Sequence, residues 1–121
     1  MLEILSKTKK NFLAIRANER VTKSDYEKTF IPKLDQLIKK YGKINVLYEF
    51  GENYEGYDIK AMIEDGKYGF NHLNNFNRIA VVGSPKWIEW TMYLVKPVFK
   101  GTIQVFPKDK LDEAMTWANS G

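Results

Sequence analysis

Residues 78–87 read Arg-Ile-Ala-Val-Val-Gly-Ser-Pro-Lys-Trp, and this stretch decides the fold. Ile79 to Val82 is an unbroken apolar run with no alternation between faces. A strand apolar on both faces needs cover on both, the condition met in sheets flanked by helices. Gly83 closes the run, Ser84 offers an N-cap hydroxyl, and Pro85 suits a first helical position. The strand therefore passes straight into a helix.

Strand and helix signals alternate on either side. Upstream, Leu2 and Ile4 and the run from Phe12 to Ala17 form two short strands joined by a turn over residues 7–11. Thr22 with Asp25 three residues later has the form of a capping box. Phe30, Leu34, Leu37, Ile38 and Tyr41 then give a helical stripe ended by Gly42, with a kink expected near Pro32. Residues 44–50 read as a central strand followed by a loop over 51–57. Ile59, Met62, Ile63, Gly66, Phe70 and Leu73 mark a second helix, in which Gly66 allows close approach to the sheet. Downstream, Thr102 to Phe106 is a last strand, and Asp109 caps a last helix with Leu111, Ala114, Met115 and Ala118 inward.

The expected architecture is one α/β domain over residues 1–121, with a mixed, mainly parallel five-stranded sheet and four helices in the order β-β-α-β-α-β-α-β-α. Right-handed crossovers gather the turns at 51–57, 83–86 and 107–109 on one sheet edge, where ligands of open α/β sheets bind.

Composition bounds the function. A chain of 121 residues is of single-domain length and can bury a sizeable core. Without cysteine there is no disulfide, thiolate metal site or cysteine nucleophile. The N-terminus lacks the apolar run of a signal peptide, and no apolar stretch reaches the ~18–20 residues of a membrane span. A cytoplasmic protein is expected, with peripheral contact at the inner membrane face left open. Residues 1–43 carry 11 basic and 5 acidic side chains, whereas residues 44–70 carry 2 and 6. The expected site edge is thus the acidic part of the chain. No helix shows a clustered basic face, so nucleic acid is a poor partner.

No catalytic set assembles. His72, the single histidine, lies seven residues from Asp65, too far along a helix for a base–orienter contact. Glu49, Glu52, Glu55 and Asp58 lack the dense spacing of a calcium loop. Neither a metal nor a cofactor is expected, and the chain reads as a non-enzyme.

The stronger signal is apolar. On the helix after Pro85, Trp87, Trp90, Thr91, Leu94, Val95 and Val98 fall on one face, and Ile88, Met92 and Phe99 widen the arc. A helix apolar nearly all round must meet a second apolar surface. With Tyr48, Phe50, Tyr54 and Tyr57 at the neighbouring edge, Trp87, Trp90 and Leu94 are the expected lining of a site for a hydrophobic small molecule. Lys86, Trp87, Trp90, Met92, Val95, Lys96, Val98, Phe99 and Lys100 are the expected contacts to a membrane surface or a partner. Some 12 helical residues span about 18 Å, too short for a ~30 Å hydrocarbon core, so any membrane contact lies in the interface.

Thr22…Asp25-Tyr26, Pro32, Gly42-Lys43-Ile44, Gly56-Tyr57 and Phe76…Arg78-Ile79-Ala80-Val81-Val82-Gly83 form an ordered set with Trp87, Phe106-Pro107 and Glu113-Ala114…Trp117. The set resembles the SpoIIAA-like family, compact relatives of STAS domains. The resemblance implies an α/β strand–helix superhelix and a looser kinship with CRAL-TRIO lipid-transfer domains, which hold hydrophobic ligands. Anti-sigma antagonists of the STAS group carry a phosphorylatable serine after the central strand. Here residues 48–54 read Tyr-Glu-Phe-Gly-Glu-Asn-Tyr, and no Ser or Thr follows until Ser84. A phosphoswitch lacks its hydroxyl. Two functions follow: a non-enzymatic module for a hydrophobic or lipid-like molecule, with reversible membrane association through residues 87–99, or a protein-interaction module acting as a homodimer or on a partner.

Overall fold

The apolar run at 79–82 lies inside β4 (Phe76–Val82), which pairs in parallel with β3 (Ile44–Tyr57) on one side and β5 (Thr102–Phe106) on the other. The computed structural model describes the backbone of residues 1–121 and every side chain except those of Ile59, Thr91 and Val95. Expectations for these three side chains lie outside the described residues. β2 (Phe12–Val21) pairs in parallel with β3, and β1 (Leu2–Ile4) closes the edge antiparallel to β2. The five strands stand in sequence order across one sheet, mixed and mainly parallel as expected.

Alternation along the strands sorts side chains between two cores. Leu13, Ile15, Val46, Tyr48, Phe50 and Val81 point to one face, together with Leu34, Leu37, Ala61 and Ile88 from the helices. Phe12, Ala14, Leu47, Ala80 and Val82 point to the other, under Ala114 and Ala118. So α2 (Ile31–Tyr41), α3 (Ile59–Asn71) and α4 (Lys86–Val95) cover one face, and α5 (Leu111–Asn119) covers the opposite one. At the second face, alanines at 14, 80, 114 and 118 are fully buried.

The local signals act as their chemistry dictates. The capping box forms: the Asp25 amide donates to Thr22 Oγ1 at 3.2 Å, and the Thr22 amide donates to Asp25 Oδ2 at 2.8 Å. It opens α1 (Lys23–Asp25), which runs through a π-turn (Tyr26–Phe30) into α2. The π-turn is the form taken by the disturbance expected at Pro32. Proline lacks an N–H and crowds the carbonyl four residues back. The helix widens just before it, and the Ile31 amide donates to Tyr26 O, five residues back. Gly42 ends α2 at φ +80, a value that favours glycine.

Three local expectations are corrected. Residues 51–57 are not a loop but the bulged continuation of β3, whose register against β2 slips between Ala17 and Arg20. Pro85, not Ser84, is the N-cap of α4, because its extended ψ of 154 keeps it outside the helix. Asp109 lies in a 3-10 turn ahead of α5, with Lys110 at the cap position.

Among the described residues Asn45 is the single polar one in the buried set, at the slip in register between β3 and β4. Its Oδ1 accepts from the Arg78 amide and from Asn77 Nδ2, each at 3.1 Å. Arg78 in turn lies over the Trp117 ring and donates to Trp117 O, tying α5 to β4.

Candidate functional site

The turns at the carboxyl ends of the strands do converge. The Gly83 amide donates to Phe106 O at 3.0 Å, and Lys108 Nζ lies 3.8 Å from Glu52 Oε1. Glu49 is paired with Arg16 at 2.9 Å, and Asp58 is paired with Arg20. Glu49, Glu52 and Asp58 are thus engaged in ion pairs with separate cations rather than gathered. Among the described residues no group of His, Cys, Asp or Glu has the arrangement of a metal site.

The concave feature lies beneath that edge, between the sheet and the helices of the first face. It is a cavity of about 340 Å³, within the range of small-molecule sites. Val46, Tyr48, Phe50 and Val81 form its floor. Tyr26, Phe30 and Leu34 form one wall, and Met62, Gly66, Phe70, Trp87, Ile88 and Met92 form the other with α3 and α4.

Why the space exists is visible in α3. Gly66 was expected to let this helix approach the sheet. Instead, a Cβ built at Gly66 or Gly69 meets nothing within 4 Å. The two glycines enlarge the cavity rather than tighten a contact. α3 is tied to α2 by Tyr68, which lines the cavity and donates to Asp35 Oδ1 at 2.6 Å. Its close backbone neighbours are α1 and the π-turn rather than the sheet.

At the inner end three phenols converge. The Tyr26 hydroxyl lies 3.4 Å from Tyr48 Oη and 3.5 Å from Tyr57 Oη, and Tyr48 and Tyr57 are hydrogen-bonded to each other. Asp65, from α3, lines the same cavity. More than a third of its surface is accessible, yet desolvation beside the apolar lining raises its carboxyl from 3.8 to about 6, with Tyr26 acting in the opposite direction. Burial, and then the Asp65 charge, pushes the Tyr26 and Tyr48 phenols above their ordinary value. Burial raises Tyr57 as well, with Tyr48 and Asp65 adding to it.

The structure distributes the expected site residues unevenly. Tyr48, Phe50, Tyr57 and Trp87 line the cavity. Tyr54 stands behind them, its ring edge-on to Phe50 at 4.8 Å, and its hydroxyl has no hydrogen-bond partner among the described residues. Trp90 and Leu94 are not in the lining; they point outward, Trp90 at 67% exposure. On α4 the inward line is Ile88, 6% exposed, followed by Met92 and Phe99. Val98 lines the cavity from its rim, and Lys86, Lys96 and Lys100 are exposed. Val95 lies outside the described side chains. Sequence reasoning missed Tyr26, Asp65 and the open space at Gly66. His72, the C-cap of α3, stacks on Tyr68 with ring centres 3.9 Å apart; Tyr68 lines the cavity and His72 does not.

No helix among the described residues is long and apolar enough to cross a membrane. The model of the SpoIIAA-like family matches residues 12–119. The chain is also similar to the crystal structure of an uncharacterised protein with a SpoIIAA-like fold from Shewanella loihica PV-4. The TM-score is 0.76 at 23% identity over 97% of this chain and 93% of that one. At that identity the likeness concerns the fold. No curated protein matches the chain.

Proposed function

The chain belongs to the SpoIIAA-like family, and on that frame we propose that it is a non-enzymatic binding module whose cavity takes a hydrophobic, lipid-like small molecule. The observation that carries this is the cavity itself, about 340 Å³ with apolar and aromatic walls and one polar end. Such a space is unfavourable to leave empty and poorly matched to water, because water needs two to four polar partners that the walls do not offer. An apolar ligand supplies the missing contacts.

Native mass spectrometry of freshly purified protein tests it, with a co-purified small molecule as the expected result. The variant Ile79→Phe, which adds a ring to the cavity wall, is expected to purify folded without that molecule. Equal retention by the filled variant would overturn the assignment of the cavity.

A second surface favours contact with something larger. Trp90, Tyr93 and Leu94 on α4 are 67%, 73% and 56% exposed, and Phe70 on α3 is 74% exposed. Together with Lys86, Lys96 and Lys100 they suit a reversible membrane-surface contact, tryptophan at the headgroup level and lysine toward anionic lipid. The competing use of the same strip is a protein partner or a second copy of the chain. Flotation with anionic vesicles, run beside a measurement of mass against concentration, separates the two.

A further inference from the structure

We propose that the molecule held in the cavity is a lipophilic amine, its protonated head seated on Asp65 among the hydroxyls of Tyr26, Tyr48 and Tyr57. The inference rests on the cavity being the ligand site and names the chemical class that fits it.

The charge inventory of the cavity points this way. Among its lining residues Asp65 is the one carboxyl, and no Lys, Arg or His lines the space. Among the described residues no ion pair is made to Asp65. A carboxylate in apolar surroundings is unfavourable unless a cation or several hydrogen bonds accompany it. No described residue of the lining supplies that cation, and an amine brings it. An anionic head, carboxylate or phosphate, would instead stand beside a like charge with no counter-ion in the lining. A zwitterionic phospholipid head carries a phosphate into the same place and is disfavoured on the same ground.

The rings around Asp65 point the same way. Tyr26 and Tyr57 lie 6.2 Å apart, Tyr48 and Phe50 5.2 Å apart, and Phe30 and Tyr48 5.9 Å apart, so the inner end is walled by aromatic groups. Aromatic walls around a carboxylate favour a cation through their ring faces. The phenol oxygens keep lone pairs that can accept ammonium N–H bonds. The titratable groups that line the cavity with Asp65 are the phenols of Tyr26, Tyr48, Tyr57 and Tyr68, all raised above their ordinary value, so they stay neutral donors and acceptors there.

The test uses the full chain and four probes with one tail: decylammonium, decanol, decanoate and decylphosphocholine, each below its micelle concentration, followed by tryptophan fluorescence and calorimetry at neutral pH. Decylammonium is expected to bind at least about tenfold tighter than decanol, and decanol tighter than decanoate or decylphosphocholine. Asp65→Asn is expected to remove the amine's advantage and leave decanol unchanged. Glu64→Gln, which removes a neighbouring charge outside the cavity lining, is expected to keep the ranking. Decanoate or decylphosphocholine binding as tightly as decylammonium overturns the amine assignment, as does an unchanged amine affinity in Asp65→Asn or an equal loss in Glu64→Gln. In each of those cases decanol binding preserves the cavity as an apolar site. Binding of none of the four overturns both.

Discussion

Replacing Asp65 by Asn should make the protein more stable at neutral pH, and the structure sets both size and sign. The carboxyl rises from 3.8 to about 6 in the folded chain because the cavity solvates it poorly. At 1.36 kcal/mol per pH unit that rise corresponds to roughly 3 kcal/mol against the ionised form. More than a third of the Asp65 surface is accessible to solvent, so screening reduces the figure to about 1 kcal/mol. Because the native carboxyl holds its proton more tightly than the unfolded one, the native state binds more protons between pH 3.8 and about 6. The contribution of this group to stability is therefore greatest below that window and is lost as the pH rises through it.

Asparagine keeps nearly the same shape and carries no charge. Urea unfolding followed by tryptophan fluorescence should place Asp65→Asn about 1 kcal/mol above the parent near pH 7, a rise of about 4 °C in Tm for a domain of this size. The gap should close at about pH 3.5, below the unfolded value, where the parent carboxyl is neutral in both states. A variant that is equally or less stable near pH 7, or one whose advantage persists at low pH, refutes the reasoning.

Gly66→Leu should separate stability from binding. The side chain enters open space and replaces a poor helix former, so unfolding should show a gain of up to about 1 kcal/mol while uptake of decanol falls at least about tenfold. Asn45→Ala should cost about 1–3 kcal/mol in urea unfolding, because the buried Arg78 amide loses its acceptor at the strand slip. The double variant Trp90→Ala/Leu94→Ala should stay within about 0.5 kcal/mol of the parent, since both residues are exposed. Its flotation with anionic vesicles should fall, and unchanged flotation would remove α4 from the membrane contact.

What the sequence discloses, and what it hides, follows from how each signal is encoded. The β4 run, the Thr22–Asp25 box and Gly42 are local devices, and each appears in the structure where its chemistry requires it. The end of β3 is hidden because Gly51, Asn53 and Gly56 are turn formers. These residues extend only against the bulged end of β2, a partner that no local pattern reveals. On α4 the difficulty is different. A helix apolar nearly all round has no preferred face by periodicity, so the choice of Ile88 and Met92 over Trp90 and Leu94 is made by the packing of the sheet. Spacing along α3 offers Asp65 no partner, whereas Tyr26, Tyr48 and Tyr57, which share its cavity, come from two other segments.

The two faces of the sheet explain how one small domain can hold a cavity and remain folded. On the α5 face, Ala14, Ala80, Ala114 and Ala118 permit close packing, and Arg78 fastens the helix to β4. On the other face, α2 buries Leu34 and Leu37 against the sheet, while α3 presents Gly66 and Gly69 to open space and carries Asp65 there. Tight packing at α2 and α5 supplies the burial that folding needs, which leaves α3 and α4 free to stand off and form the walls. Filling that space with leucine at 66 and neutralising position 65 are both expected to raise stability. A site that destabilises its own fold in two independent ways, one of volume and one of charge, has the character of a binding site, since binding sites commonly keep groups that stability alone would discard.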